Sequence, residues 1–122
     1  MKRQIVLVED DEVICDILTI VLNANDFEVV KFSSAEQLLN QRVGTPNLFL
    51  IDYLLPGING IELCRQLKHE EATKLIPVIL ISADFHIRLR SSECGAEAAI
   101  DKPFSRLELL STIKDLVGPA TC

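Results

Sequence analysis

The sequence has few aromatic residues and no long apolar run. Its 122 residues include no Trp, one Tyr and five Phe, and only five Gly and five Pro. The low Gly and Pro contents exclude a collagen-like chain, and 48% hydrophobic residues exclude a disordered one. The longest apolar runs, such as residues 76–81, are far shorter than the roughly 20 residues that span a bilayer. One globular domain is therefore predicted, with no membrane-spanning segment.

Basic residues are also scarce. Twelve Lys and Arg oppose eighteen Asp and Glu, which gives a net charge of -6. Phosphate backbones and anionic membranes would repel such a chain, so neither direct nucleic-acid binding nor membrane association is expected. The apolar run near the N-terminus stops at Glu9 and is too short for the core of a secretory signal. A cytoplasmic location is the default expectation.

The four cysteines form neither a pair nor a cluster in the sequence. Cys15, Cys64, Cys94 and Cys122 are widely dispersed, with no CxxC motif and no histidine at zinc-ligand spacing. This pattern indicates neither a redox motif nor a zinc site. We predict that the first three are small buried apolar side chains, and that Cys122 belongs to the C-terminal tail.

Short apolar runs alternate with segments of helical periodicity. The runs cover residues 5–8, 27–30, 48–51, 78–81 and 98–100. Because they are continuous rather than alternating, they predict parallel strands covered on both faces by helices. The alternation predicts a (βα)5 α/β fold, a doubly wound three-layer sandwich. It forms a single domain over residues 1–122, with a core of about residues 3–117 and a short tail at 118–122.

The helix signals differ in strength. Apolar residues recur at spacings of three and four in residues 14–22 and 107–117, at the positions Ile14, Ile17, Leu18, Val21, Leu22, Leu107, Leu110, Ile113, Leu116 and Val117. Capping residues placed three before a glutamate, at Ser33, Asn59 and Ser105, predict helices that begin near residues 34, 60 and 105. The weakest helical pattern lies between the fourth and fifth strands, at about residues 85–94.

Polar side chains follow four of the five predicted strands. Glu9 and Asp10 come after the first strand, Asp52 after the third, Ser82 after the fourth, and Lys102 shortly after the fifth. The carboxyl ends of parallel strands share one edge, which is where α/β sheets bind ligands. Each residue alone has an ordinary explanation, such as a helix cap at Asp11 or Asp10, but their coincidence at one edge predicts a site.

The chemistry of that predicted site follows from its charges. Three carboxylates repel one another unless cations offset them, and Lys102 supplies only one positive charge. An all-oxygen ligand set with few carboxylates favours Mg²⁺ over Ca²⁺. An aspartate beside a metal and an ammonium can attack phosphorus and form an acyl phosphate. Asp52, alone at the end of the central strand, is the best candidate for this nucleophile.

The motifs around these residues resemble the receiver domains of two-component response regulators. They read VLVEDDE around Glu9 and Asp10, LFLIDYLLPGING around Asp52, VILISA ending at Ser82 and Ala83, and DKPF containing Lys102. The resemblance extends over the chain from about residue 3 to 117. It implies a flavodoxin-like fold with strand order 2-1-3-4-5.

The resemblance also implies roles for the site residues. Asp52 would accept a phosphoryl group from a phosphohistidine on a histidine kinase or a histidine phosphotransfer protein. Glu9, Asp10, Asp52 and the backbone carbonyl of Leu54 would hold Mg²⁺, and Ser82 and Lys102 would bind the phosphoryl oxygens. The Lys102–Pro103 bond would be cis. Such a domain catalyses its own phosphorylation and dephosphorylation, but it acts mainly as a signalling switch whose docking surface is read by a target protein or a fused output domain.

Two positions depart from the pattern of that family. An aromatic residue often stands three before the lysine, whereas this chain has Ala99, so we expect displacement of the segment after Ser82 rather than an aromatic rotamer to report activation. Leu54, two after Asp52, cannot form a side-chain hydrogen bond to an attacking water. We therefore expect that the phosphoryl group is not lost quickly.

Other functions fit the sequence less well. An interaction module of the same fold that is never phosphorylated would not need Glu9, Asp10, Asp52, Ser82 and Lys102 together. A phosphatase of the haloacid dehalogenase type would have a second aspartate where Leu54 stands. A flavodoxin-like cofactor binder or a P-loop protein would have a glycine-rich loop after the first strand. Because the chain ends just after its last predicted helix, we expect either a stand-alone receiver or part of a longer regulator.

Overall fold

A computed structural model describes residues 2–41, 44–83 and 90–118 of the chain. Five parallel strands form one sheet in the order β2-β1-β3-β4-β5, as predicted. They are β1 (Arg3–Val8), β2 (Phe27–Phe32), β3 (Leu48–Asp52), β4 (Val78–Ser82) and β5 (Ala98–Asp101). Each strand is one or two residues longer than its apolar run, because backbone hydrogen bonds continue past the point where the side chains become polar.

Helices follow the strands in the described part of the chain. They are α1 (Glu12–Ala24), α2 (Ala35–Leu39), α3 (Gly60–His69) and α4 (Arg106–Val117), with a 3₁₀ turn at Ser92–Cys94. Residues 85–89 of the weak helix predicted at about residues 85–94 lie outside the described residues. In the described part of that range, residues 90 and 91 are helical and the 3₁₀ turn follows them. Within the described ranges, no helix has both the length and the apolar character needed to cross a membrane.

The sheet separates two apolar clusters. Alternate side chains of β1, β3 and β4 point to opposite faces, and one face packs against α2 and α3 while the other packs against α1 and α4. The apolar runs of these three central strands are buried, as predicted. The strands β2 and β5 are only partly buried, which differs from the prediction because an edge strand has a neighbour on one side only.

The starts of α3 and α4 confirm two of the predicted caps. Asn59 Oδ1 accepts a hydrogen bond from the backbone N–H of Glu62 at 2.9 Å, and Ser105 Oγ accepts one from the N–H of Glu108 at 3.0 Å. Each cap satisfies one of the free N–H groups of the first helical turn.

The start of α2 is shifted by one residue from the predicted capping box. Ser34, not Ser33, is the cap, and its Oγ accepts from the N–H of Gln37 at 3.1 Å. The Gln37 side chain reaches back and accepts from the N–H of Ser33 at 2.8 Å. The predicted partner Glu36 is therefore not used for capping.

Two predicted core positions face solvent instead. Ile17 and Leu107 are 52% and 81% exposed, although their spacing matched the apolar face of their helices. In α4, Leu109 is fully buried in place of Leu107. A helix beside a sheet buries only one stripe of its surface, and periodicity alone does not fix the edges of that stripe.

The cysteine prediction is confirmed for two of the three residues. Cys64 and Cys94 are buried, whereas Cys15 on α1 is only half-buried. Cys15 packs against the outside of a core cluster and also lines the cleft beside Glu9 and Lys31. Cys122 lies outside the described residues.

Candidate functional site

The predicted site residues come together at the carboxyl edge of the sheet. Glu9 directly follows β1, Asp52 ends β3, Ser82 ends β4 and Lys102 directly follows β5. The register aligns Asp52 with Ile81 of β4, and the parallel strands bring all four ends to one edge. This placement confirms the sequence-based expectation that these residues gather in space.

Two ion pairs of Lys102 join three of these strand ends. Lys102 Nζ lies 3.0 Å from Asp52 Oδ1 and 3.4 Å from Glu9 Oε1. Both carboxylates are almost fully buried. One ammonium therefore bridges the ends of β1, β3 and β5.

An acidic cluster surrounds this ion pair. Carboxylate oxygens of Glu9, Asp10 and Asp52 all lie within 4.8 Å of one another. Glu9 and Asp52 are buried, whereas Asp10 is exposed to solvent. Lys102 neutralises only part of this charge, and oxygen donors grouped in this way suit a hard divalent cation. The donor set therefore fits a magnesium ion.

Asp11 has a different role from its acidic neighbours. Its Oδ1 accepts hydrogen bonds from the N–H groups of Val13 at 2.9 Å and Ile14 at 3.1 Å, which makes it the N-cap of α1. Its own N–H donates to Glu9 Oε2 at 3.3 Å. The helix cap that was an alternative explanation for Asp10 is thus supplied by Asp11, and Asp10 belongs to the cluster.

Burial and mutual repulsion shift the proton affinities of the site. Burial, followed by the charge of Asp52, raises the pKa of Glu9 to about 7, although Lys102 opposes this shift. Burial also raises the pKa of Asp52, and the hydrogen bond from Lys102 offsets part of the effect. Burial lowers the pKa of Lys102, but its hydrogen bond to Asp52 and the charge of that carboxylate outweigh burial and raise the pKa above its ordinary value.

The loop after Asp52 folds back on the strand that it leaves. The carbonyl of Tyr53 accepts hydrogen bonds from the N–H groups of Leu55 and Gly60, both at 3.0 Å. Gly60 packs against the backbone so closely that a Cβ there would lie 2.7 Å from the carbonyl oxygen of Asp52. Leu54, between Tyr53 and Leu55, has a side chain that is 68% exposed.

Ser82 and Lys102 are linked through their backbones. The N–H of Lys102 donates to the carbonyl of Ser82 at 2.9 Å, and the Ser82 side chain is buried. The Lys102–Pro103 peptide bond is cis, as predicted. The segment that the sequence suggested would move, residues 83–89, is described only at Ala83.

Comparison with protein families identifies this arrangement. A family model described as "Response regulator receiver domain" matches residues 5–114. The chain belongs to this family. Its function is that of a receiver domain of two-component response regulators, a family in which phosphorylation and Mg²⁺ are typical.

Curated relatives support the assignment of this receiver domain. It is 38% identical over 117 residues to the phosphate regulon transcriptional regulatory protein PhoB of Escherichia coli (strain K12). The match covers 93% of this chain and 51% of the relative. The receiver domain thus spans about half the length of the curated relatives that it matches.

Solved structures show the same fold. The signal receiver domain of a histidine kinase from Syntrophus aciditrophicus is 30% identical, with a TM-score of 0.85 over 98% of this chain and 92% of that chain. The receiver domain of the sensor histidine kinase PA1611 from Pseudomonas aeruginosa PAO1 is 23% identical, with a TM-score of 0.84 over 97% of this chain and 99% of that chain. The second structure has a magnesium ion in its active-site cleft.

The sequence did not reveal every residue that contacts the site or its loops. Glu36 on α2 accepts a hydrogen bond from the N–H of Ile58 at 3.2 Å, in the loop that follows Asp52. The predicted capping box, one residue out of register, paired Glu36 with Ser33, so this contact was not predicted. The pair Ser34 and Gln37 is an equally valid capping box. Had this pair been predicted, Glu36 would have remained available for another contact.

Proposed function

We propose that this receiver domain accepts a phosphoryl group on Asp52 from a phosphohistidine of a histidine kinase or histidine phosphotransfer protein. An oxygen of the Asp52 carboxylate attacks the phosphorus and forms an acyl phosphate. The bond between phosphorus and the imidazole nitrogen breaks, and the nitrogen keeps the electron pair. Carboxylate burial beside Lys102 keeps bulk water away from the nucleophile and fixes its position.

We propose Mg²⁺ as the cofactor, held by Glu9, Asp10, Asp52 and the backbone carbonyl of Leu54. A bound Mg²⁺ neutralises charge on the phosphoryl oxygens. Glu9 and Asp52 are buried and fixed. Asp10 is exposed, so its side chain can turn a carboxylate oxygen toward the ion or away from it with little cost. Glu9, whose pKa in the metal-free site is raised to about 7, must lose its proton to bind a cation, so Mg²⁺ binding should release a proton and become stronger as the pH rises.

Lys102 and Ser82 are proposed to bind the oxygens of the transferred group. The ammonium of Lys102 is held 3.0 Å from the Asp52 oxygen, so it lies beside the atom that bonds to phosphorus. The Ser82 hydroxyl ends the neighbouring strand and can donate a hydrogen bond to the same group. Charge placed in advance around the developing phosphoryl charge lowers the barrier without rearrangement.

The observation that carries this proposal is the buried Asp52 carboxylate, which belongs to the acidic cluster and contacts Lys102. The test is incubation with a small acyl phosphate and Mg²⁺, followed by intact-mass measurement. The wild-type chain should gain one phosphoryl group, whereas Asp52→Asn and a sample with chelator should gain none. Labelling of both variants, or of neither, would contradict the assignment of Asp52.

The surface of α1 beside the site is the proposed docking surface for the phosphohistidine donor. Val13, Ile17 and Ile20 lie on one face of α1 and are 67%, 52% and 68% exposed. Ile17 also lines an apolar cleft with Pro103 and Phe104, next to Lys102. A donor that places its histidine at Asp52 must cover this adjoining surface, and exposed apolar patches often mark such contacts.

This docking proposal can be separated from the chemistry of the site. Ile20→Glu should slow phosphoryl transfer from a purified histidine phosphotransfer protein but leave labelling by the small acyl phosphate unchanged. Leu75→Glu is a matched control, since Leu75 is 88% exposed and precedes β4 at the other edge of the sheet. Slower phosphoryl transfer to both variants, or to neither, would argue against α1 as the docking surface.

A protein or domain that reads the phosphorylated state completes the proposal. The relative PhoB is a transcriptional regulatory protein about twice as long as the matched region. We propose that phosphorylation of this receiver domain is read in the same general way, either by a fused output domain or by a separate target protein. The cellular location proposed for it is the cytoplasm, where such donors present their phosphohistidine.

A further inference from the structure

The α2 helix touches the loop that follows the phosphoacceptor. Glu36 Oε2 accepts a hydrogen bond from the N–H of Ile58 at 3.2 Å, although the two residues belong to different elements. The capping of α2 leaves Glu36 free for this contact, because Ser34 and Gln37 satisfy the start of the helix.

The backbone of the neighbouring residue, Gly57, lies close to the same carboxylate. Gly57 has a φ of +73°, a conformation that side chains rarely adopt, and a Cβ at this position would collide with Glu36 Oε2. The carboxylate therefore occupies the space beside the loop where another residue would have its side chain. Both the hydrogen bond and the packing fix the loop against α2.

The loop held in this way contains a proposed magnesium ligand. Its two ends are tied to Tyr53 by the hydrogen bonds from Leu55 and Gly60. Leu54 lies between Tyr53 and Leu55, directly before the segment that these bonds hold, and its exposed side chain adds little to hold its own backbone in place. A ligand group that is already ordered loses less conformational freedom when the ion binds.

We propose that Glu36 is a positioning residue for magnesium binding, because it orders the loop that presents the Leu54 carbonyl. This inference rests on the proposed function of the site. Glu36 does not touch the ion or the phosphoryl group in this proposal. It acts through the backbone of residues 57 and 58, and its acceptor oxygen rather than its charge is the property that matters.

The test measures the Mg²⁺ dissociation constant of the full chain, with the fluorescence of Tyr53 as the signal. Tyr53 is the only tyrosine, and the chain has no tryptophan, so the signal comes from the residue next to Asp52. Glu36→Ala should raise the Mg²⁺ dissociation constant about threefold, the effect expected from losing one exposed hydrogen bond. Glu36→Gln keeps an acceptor oxygen and should restore the wild-type constant.

Gln37→Ala is the matched control, since it removes a side-chain hydrogen bond from the same helix start without touching the loop. It should leave the Mg²⁺ constant unchanged. Equal weakening by Glu36→Ala and Gln37→Ala would overturn the inference in favour of a general loss of α2, and equal weakening by Glu36→Ala and Glu36→Gln would overturn it in favour of a charge effect.

The outcome also separates this inference from the proposed function. If the wild-type chain binds Mg²⁺ and is labelled on Asp52, but Glu36→Ala binds Mg²⁺ equally well, only the role of Glu36 is wrong. A wild-type chain with no response to Mg²⁺ and no labelling would overturn the proposed function and the inference together.

Discussion

Lys102 and Asp52 form an ion pair between the ends of two strands that are not neighbours in the sheet. Their side-chain atoms Nζ and Oδ1 are 3.0 Å apart, while β4 lies between β3 and β5. The lysine side chain thus crosses the end of a strand to reach the carboxylate. The same ammonium also contacts Glu9 beyond β3, so it holds together the edge at which the proposed chemistry takes place.

Replacing this lysine should have opposite effects on stability and metal binding. Lys102→Ala leaves the cluster of Glu9, Asp10 and Asp52 without its compensating ammonium, so the metal-free domain should lose about 1–3 kcal/mol of unfolding free energy. The added negative charge should tighten Mg²⁺ binding, while phosphorylation of Asp52 should fall. Lys74→Ala, which removes an exposed lysine paired with Glu71, serves as the control. Weaker Mg²⁺ binding by Lys102→Ala would contradict this account.

Glu9 should make the stability of the metal-free domain depend on pH. Its pKa rises from an ordinary value of 4.5 to about 7 on folding, so the folded state holds this proton more tightly than the unfolded state. The resulting stability is fully present below about pH 4.5 and is lost as the pH rises through about 7. Glu9→Gln carries no such proton and avoids this loss, so above about pH 7 its unfolding free energy should exceed that of the wild-type chain by up to about 3 kcal/mol. In denaturant titrations with chelator, the advantage of the variant should grow between about pH 5 and pH 8, and a constant difference would rule out the effect.

Gly60 should not tolerate even a methyl group. Replacing a helical glycine by alanine ordinarily stabilises a helix by about 1 kcal/mol. Here the new Cβ would lie 2.7 Å from the Asp52 carbonyl oxygen and 2.8 Å from the Tyr53 Cα, and both are backbone atoms. Gly60→Ala should therefore destabilise the domain by about 1–3 kcal/mol and slow labelling of Asp52. Thermal denaturation checks the sign, since a more stable variant would show that α3 can move away freely.

The opposite edge of the sheet should affect stability without affecting phosphorylation. Lys68 Nζ donates to the carbonyl of Ile76 at 2.8 Å and to Glu97 Oε2 at 2.9 Å, and Glu97 also accepts from the N–H of Val78. Lys68→Met should cost about 1–3 kcal/mol because it takes the ammonium away from the Ile76 carbonyl and from Glu97, which keeps its hydrogen bond from Val78. The rate of Asp52 labelling below the unfolding transition should stay at the wild-type value. A reduced rate would show coupling between the two edges.

The residue two after Asp52 should control how long the phosphoryl group persists. Leu54 is exposed and offers no hydrogen bond to a water approaching the acyl phosphate. Leu54→Asn supplies an amide at the same position and should shorten the phosphorylated lifetime, measured by intact mass after removal of the phosphodonor. Leu54→Ala is the control that lacks such a group. An unchanged lifetime in Leu54→Asn, or a longer one in Leu54→Ala, would refute this reasoning.

Sequence patterns predicted the fold because its signals are local. Continuous apolar runs, helical spacing and caps such as Ser105 depend on neighbouring residues, so they located five strands and the helix starts to within one or two residues. The same patterns failed at Ile17 and Leu107, where the boundary between buried and exposed faces depends on how the helix sits on the sheet. The cap at Ser34 was misplaced by one residue because two serines offered equivalent starts.

The chemical composition of the site was also determined by the sequence, since Glu9, Asp10, Asp52, Ser82 and Lys102 stand out as polar residues at the ends of apolar runs. Only the tertiary structure decided which of their atoms meet. The raised pKa of Glu9, the bridging position of Lys102 and the contact of Glu36 with the loop all depend on distances between segments remote in the chain. Burial and electrostatic interaction vary with those distances, and no local pattern of residues encodes them.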